Sequence, residues 1–87
     1  MSRLEPSGDV VVHEQAGEAF LLNVSSGRYF ALNPSGLVAW RAIAAGGDAE
    51  GALREAYPDV LHETLRADLQ SLIASLLKEG LLREAAP

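Results

Sequence analysis

Gly27 to Trp40 reads GRYFALNPSGLVAW, and this stretch decides the fold. Arg28 to Leu32 has the aromatic content of a short strand. Asn33 then offers a side-chain oxygen to the first free amides of a helix, and Pro34 loses no hydrogen bond at the first helical position. A strand therefore passes into a helix without a spacer. Leu37, Trp40 and Ala44 recur at helical spacing, with Ile43 on the adjoining side, and Gly46 with Gly47 marks the stop. Tyr29 and Phe30 are neighbours on a strand and so face opposite ways, which leaves one of them for the surface or for a partner.

Upstream, the β-branched run Val10 to His13 predicts a strand, followed by a turn over Glu14, Gln15, Gly17 and Glu18. Phe20 to Val24 is a second strand, and Ser25, Ser26 and Gly27 connect it tightly to Arg28–Leu32. Three locally paired strands make an antiparallel meander, with Phe20, Leu22, Phe30 and Leu32 expected on its buried side. Downstream, Asp48 is expected to cap a short helix through Leu53 to Ala56, broken at Tyr57 and Pro58. The longest helix is predicted from His62 to Glu79, where Leu65, Leu69, Leu72 and Leu76 form the core stripe and Arg66, Ile73 and Leu77 widen it to one side. Gly80 ends that helix, and Leu81 and Leu82 fold back over it. Residues 1–9 read as a flexible arm, 10–82 as one domain and 83–87 as a frayed end. The expected class is α+β, a three-stranded antiparallel sheet followed by three helices.

At 87 residues there is room for one modest core, so a small binding module is expected rather than an enclosed active site. The N-terminal MSRLEPSGD lacks the apolar segment of a signal peptide, and no apolar run approaches the roughly 20 residues that span a bilayer. A cytoplasmic location and no membrane partner are the expectations. The chain contains no Cys, which excludes thiolate nucleophiles and Cys-based metal sites, and its formal net charge of −5 argues against a nucleic-acid partner. His13 and His62 stand apart from any metal-binding spacing, and no Ser has an elbow or oxyanion motif around it. No catalytic residue, metal or cofactor is expected. Asp68 is singled out because it flanks the apolar stripe, where a carboxylate can bond a peptide's amide or hydroxyl.

GRYFALNPSGLVAW, the Gly47-Asp48 turn and the closing ADLQSLIASLLKEGLL together resemble the PqqD-like family, also called RiPP recognition elements. The resemblance runs from about Ala19 to Leu82. It implies three strands and three helices in a winged helix-turn-helix-like arrangement, and a non-catalytic role in binding the leader of a ribosomally made precursor peptide. Within the family the chain is most similar to the free-standing recognition proteins of lasso peptide pathways, whose partners are a cysteine protease and a macrolactam cyclase. LLNVSSGRYFALN differs from the Pro-Glu-Gly type segment of the pyrroloquinoline quinone protein. A peptide chaperone for another modifying enzyme, such as a radical SAM enzyme, is the second expectation, and a winged-helix DNA-binding module the third.

The resemblance implies that the leader adds as a strand to Arg28, Tyr29, Phe30, Ala31 and Leu32. It would lie in a cleft whose other wall is supplied by Arg66, Asp68, Leu69, Gln70 and Ile73 of the last helix. The exposed edge predicts a monomer or a weak edge-paired dimer.

Overall fold

The computed structural model describes residues 3–85. In chain order the elements are β1 (Arg3–Pro6), β2 (Val10–Gln15), β3 (Glu18–Asn23), β4 (Tyr29–Leu32), α1 (Pro34–Ala44), α2 (Ala49–Ala56), α3 (His62–Lys78) and β5 (Leu82–Ala85). β2, β3 and β4 form an antiparallel meander, and β1 pairs antiparallel with β5 in a separate two-stranded ribbon. α1 packs on one face of the meander, and α2 and α3 pack against α1.

Local chemistry accounts for the joints. Ala16 and Gly17 both have positive φ, so β2 and β3 meet in a two-residue turn of the kind that matches strand twist. The β2 strand consequently runs to Gln15, past the end expected at His13. The Asn33 side chain accepts from the Gly36 amide at 2.8 Å and caps α1 ahead of Pro34. At the far end Gly47 donates to Ala42 and Gly46 to Ile43, closing the helix with Gly46 at φ +75°. Asp48 does precede α2, but its side chain makes no capping bond.

The core is apolar throughout: Ala19, Leu21 and Leu32 from the sheet meet Leu37, Ala39, Trp40 and Ile43 of α1, Leu53 of α2, Leu65, Leu69 and Leu76 of α3, and Leu81 and Leu82. Three expectations are corrected here. Phe20 and Leu22 are 49% and 39% exposed, while Ala19 and Leu21 are buried. The register sets Leu21 beside Phe30 and Ala19 beside Leu32 on the helix side, which turns Phe20 and Leu22 outward with Ala31 and Tyr29. Ala44 is exposed, and Ala39 and Ile43 take the core positions of α1.

The third correction concerns the ends. Residues 3–6 of the stretch expected as an arm over 1–9, and residues 83–85 of the end expected to fray over 83–87, lie in the two strands of the ribbon, with Arg3 opposite Ala85 and Pro6 opposite Leu82. Leu4 packs against the core, and Ser7 N–H donates to Leu81 O at 3.1 Å. Residues 1, 2, 86 and 87 lie outside the described residues.

Candidate functional site

One edge of the meander, β4, has a helix standing beside it. Main-chain bonds around Asn23 show which way its groups point. Asn23 N–H donates to Arg28 O at 2.8 Å and Asn23 O accepts from Gly27 N–H at 2.8 Å, so Asn23 faces β4, whereas Val24 N–H donates to Asp9 O at 2.9 Å on the β2 side. Antiparallel strands alternate in this respect. Leu21 and Ala19 therefore bond toward β4, and Phe30 and Leu32 bond back to them. The N–H and C=O groups of Tyr29 and Ala31 are left pointing off the edge, where no other strand pairs with them among the described residues.

The facing wall is one stripe of α3. Arg28 Nη1 donates to Glu79 Oε2 at 2.8 Å, and Asn23 Nδ2 donates to Gly80 O at 2.8 Å. These bonds tie the start of β4 to the end of α3 and fix the rotation of the helix. Asp68, Leu72, Ser75 and Glu79 fall on the flank turned to β4, by helical spacing. At the other end of β4 a cavity of about 330 Å³ opens between Asn33, Ser35 and Gly36 of the α1 start and Leu65, Asp68, Leu69 and Leu72 of α3. Strand and helix run antiparallel. Arg28 to Asn33 in extended chain and Asp68 to Glu79 in helix both span about 16 Å, so the two walls are matched in length.

The residues expected in the cleft divide accordingly. Arg28, Tyr29, Phe30, Ala31 and Leu32 lie on or beside the edge, with Tyr29 70% exposed and Phe30 half-buried on the helix side. Asp68 and Leu69 line the cavity at its end. Arg66, Gln70 and Ile73 do not face β4. Arg66 Nε donates to Glu50 Oε1 of α2 at 3.0 Å, Ile73 lines a different cavity with Leu4 and Ile43, and Gln70 is exposed on that same flank. Sequence reasoning missed Leu72 as cleft wall, having assigned it to the core, along with Ser75, Glu79, Asn33 and Ser35. The helix is apolar over so wide an arc that only the Arg28–Glu79 bond reveals which flank meets the sheet.

At the margin of the site Arg28 is paired with Glu79. The hydrogen bond to Glu79, and then its negative charge, hold the Arg28 guanidinium above its ordinary pKa. Among the described residues no three His, Cys, Asp or Glu side chains converge as a metal would require.

The sequence model described as "Coenzyme PQQ synthesis protein D (PqqD)" matches residues 18–82. The chain belongs to the PqqD family. Two solved structures share its fold. One is TbiB1 in complex with the TbiA(beta) leader peptide, with a TM-score of 0.79, 26% identity, and coverage of 95% of this chain and 99% of that one. The other is a lasso peptide synthetase B1 complexed with the leader peptide, with a TM-score of 0.79, 18% identity, and coverage of 93% and 98% respectively. Among the curated proteins none matches the chain by sequence. The PqqD-family match begins at β3 and ends within β5, so the ribbon's first strand and β2 lie outside it.

Proposed function

We propose that this chain binds the leader of a ribosomally synthesised precursor peptide, of the lasso type, and presents it to the protease and cyclase that mature it. The observation that carries this is the uncovered β4 edge lying alongside a stripe of α3 of the same length, with Leu69 and Leu72 as its apolar wall. An extended peptide added to β4 would bond to the free groups of Tyr29 and Ala31, which supplies affinity without regard to sequence. Its alternate side chains would turn toward Leu69, Leu72 and the cavity at Asp68, which supplies selection. The TbiB1 structure, in complex with the TbiA(beta) leader peptide and matching nearly the whole chain, supports the same reading.

No step of covalent chemistry is assigned to this chain: it offers a surface, and its partners do the chemistry. The acidic balance, −5 overall, favours a peptide over a nucleic acid as the occupant. No helix among the described residues is long and apolar enough to cross a membrane.

The test is fluorescence anisotropy with a labelled synthetic leader peptide of a lasso precursor. Ala31→Pro removes an N–H that points off the edge and leaves the β3 ladder intact. It is expected to weaken binding about tenfold, equivalent to about 1.4 kcal/mol, with an unchanged circular dichroism spectrum. Saturable binding that Ala31→Pro leaves untouched would remove β4 from the site, and absence of binding by the unaltered chain would overturn the reading altogether.

A further inference from the structure

Leu61 is the most exposed large apolar side chain among the described residues, at 74%, and Val60 before it is 37% exposed. Leu61 also holds the N-cap of α3. Its carbonyl accepts from Leu65 N–H at 3.1 Å, but its side chain bonds none of the free amides of the first turn. Ser, Thr, Asp or Asn at such a position stabilises a helix by about 1 kcal/mol. Leu61 thus departs from local preference twice, leaving the helix uncapped and standing in water. Neither stabilises the chain by itself, and departures of this kind belong to functional sites.

Its place on α3 says what would cover it. Leu61, Leu65, Asp68 and Leu72 follow one another at intervals of four, three and four, in the row that becomes the wall of the β4 cleft. Leu65, Asp68 and Leu72 line the cavity at the Asn33 end of that cleft, and Leu61 is the next member of the row beyond it. β4 has ended there, at Leu32, and the main chain has turned into α1. A peptide running past Asn33 finds no further strand to pair with and meets side chains alone. From Asp68 to Leu61 the helix spans about 10 Å, the length of about three extended residues. Charge separates the two ends of the path as well. Glu79 at one end is matched by Arg28, whereas Asp68, and Asp59 in the turn before Leu61, make no ion pair among the described residues. Asp59, Val60 and Leu61 line one shallow depression of about 390 Å³.

We propose that the leader site runs on past the end of β4 to Leu61. The occupant is the leader's own distal segment, with an apolar residue on Leu61 about three positions from the residue seated at Asp68, and a Lys or Arg beside it to meet the two carboxylates. This extension rests on leader binding at β4. It adds a contact that selects by side chain, because no main-chain ladder contributes there.

Leu61→Ser tests it without risk to the fold, since the serine supplies the missing cap. Its melting temperature is expected to equal or exceed that of the unaltered chain, while anisotropy with the labelled lasso leader peptide shows affinity lower by about fivefold. Two further leader peptides, each trimmed by three residues at one end, locate the contact. One of them should bind the unaltered chain as weakly as the full leader binds Leu61→Ser, and should be indifferent to that substitution. Asp59→Asn combined with Asp68→Asn should flatten the salt dependence of binding. Full affinity in a folded Leu61→Ser protein overturns the extension, and β4 then stands or falls separately with Ala31→Pro. An equal loss for the full and both trimmed leaders also overturns it, because Leu61 would then act through the fold. A salt dependence unchanged by the Asn pair removes the basic residue from the proposal, and a leader that fails to bind the unaltered chain overturns both readings.

Discussion

Asn23 makes more separate connections than any other polar side chain in the structure described above. Its Oδ1 accepts from Ser25 N–H at 2.9 Å and Ser26 N–H at 3.2 Å, shaping the turn before β4, while its Nδ2 donates to Gly80 O at the end of α3. Gly80 itself sits at φ +72°, and a Cβ there would stand 3.3 Å from Asn23 Nδ2. The half-buried amide thus holds turn and helix end together. Asn23→Ala is expected to destabilise the fold by about 1–2 kcal/mol, read as a melting temperature lower by about 5–10 °C. The neighbouring Arg28–Glu79 pair is largely exposed on its Arg side, and such pairs add little to stability. Its role is to fix the rotation of α3 against β4.

At the scale of elements, face parity is the test of β3. Leu21→Ala removes a fully buried side chain and is expected to cost about 2–5 kcal/mol. Phe20→Ala, one residue away, should change urea unfolding by less than about 1 kcal/mol. The strand, the Asn33-Pro34 helix start, the Gly46-Gly47 stop and the leucine stripe of α3 were legible in the sequence because each rests on local chemistry. The parity of β3 was not, since Ala19-Phe20-Leu21-Leu22 is apolar on both faces and only pairing with β4 distinguishes them. The flank of α3 was illegible for the same kind of reason. Arg66 could be assigned to a partner only once Glu50 was seen across from it.

That α2–α3 contact has a pH dependence. The hydrogen bond from Arg66 holds the Glu50 carboxyl below its ordinary value, with smaller help from the charges of Arg66 and Arg54. A lowered carboxyl contributes stability that is fully present above its unfolded value and is lost as pH falls through the folded one. The melting temperature is expected to drop on acidification through the carboxylate range, and Glu50→Gln should remove part of that drop while leaving the neutral-to-alkaline plateau flat. A drop of equal size in the variant would place the acid sensitivity elsewhere.

For the molecule as a whole, the ribbon of β1 and β5 is the long-range closure. Its strands have little local signal: Arg-Leu-Glu-Pro reads as an arm until Leu82 to Ala85 is laid beside it. Leu4 packs against the core and lines the cavity shared with Ile43 and Ile73. Deleting residues 1–6 is expected to lower stability by about 2 kcal/mol from Leu4 burial alone, measured by urea denaturation. Leader binding at β4, on a different side of α3, should survive the deletion as long as the chain stays folded.

The same ribbon sets Arg3 directly across from Ala85. Entry and exit of the chain are therefore neighbours, a strand spacing apart, on the side of α3 away from the β4 cleft. A fold threaded this way can be spliced into a surface loop of a larger enzyme through a single opening, or have its ends joined and a new break made elsewhere, with the peptide edge still turned outward.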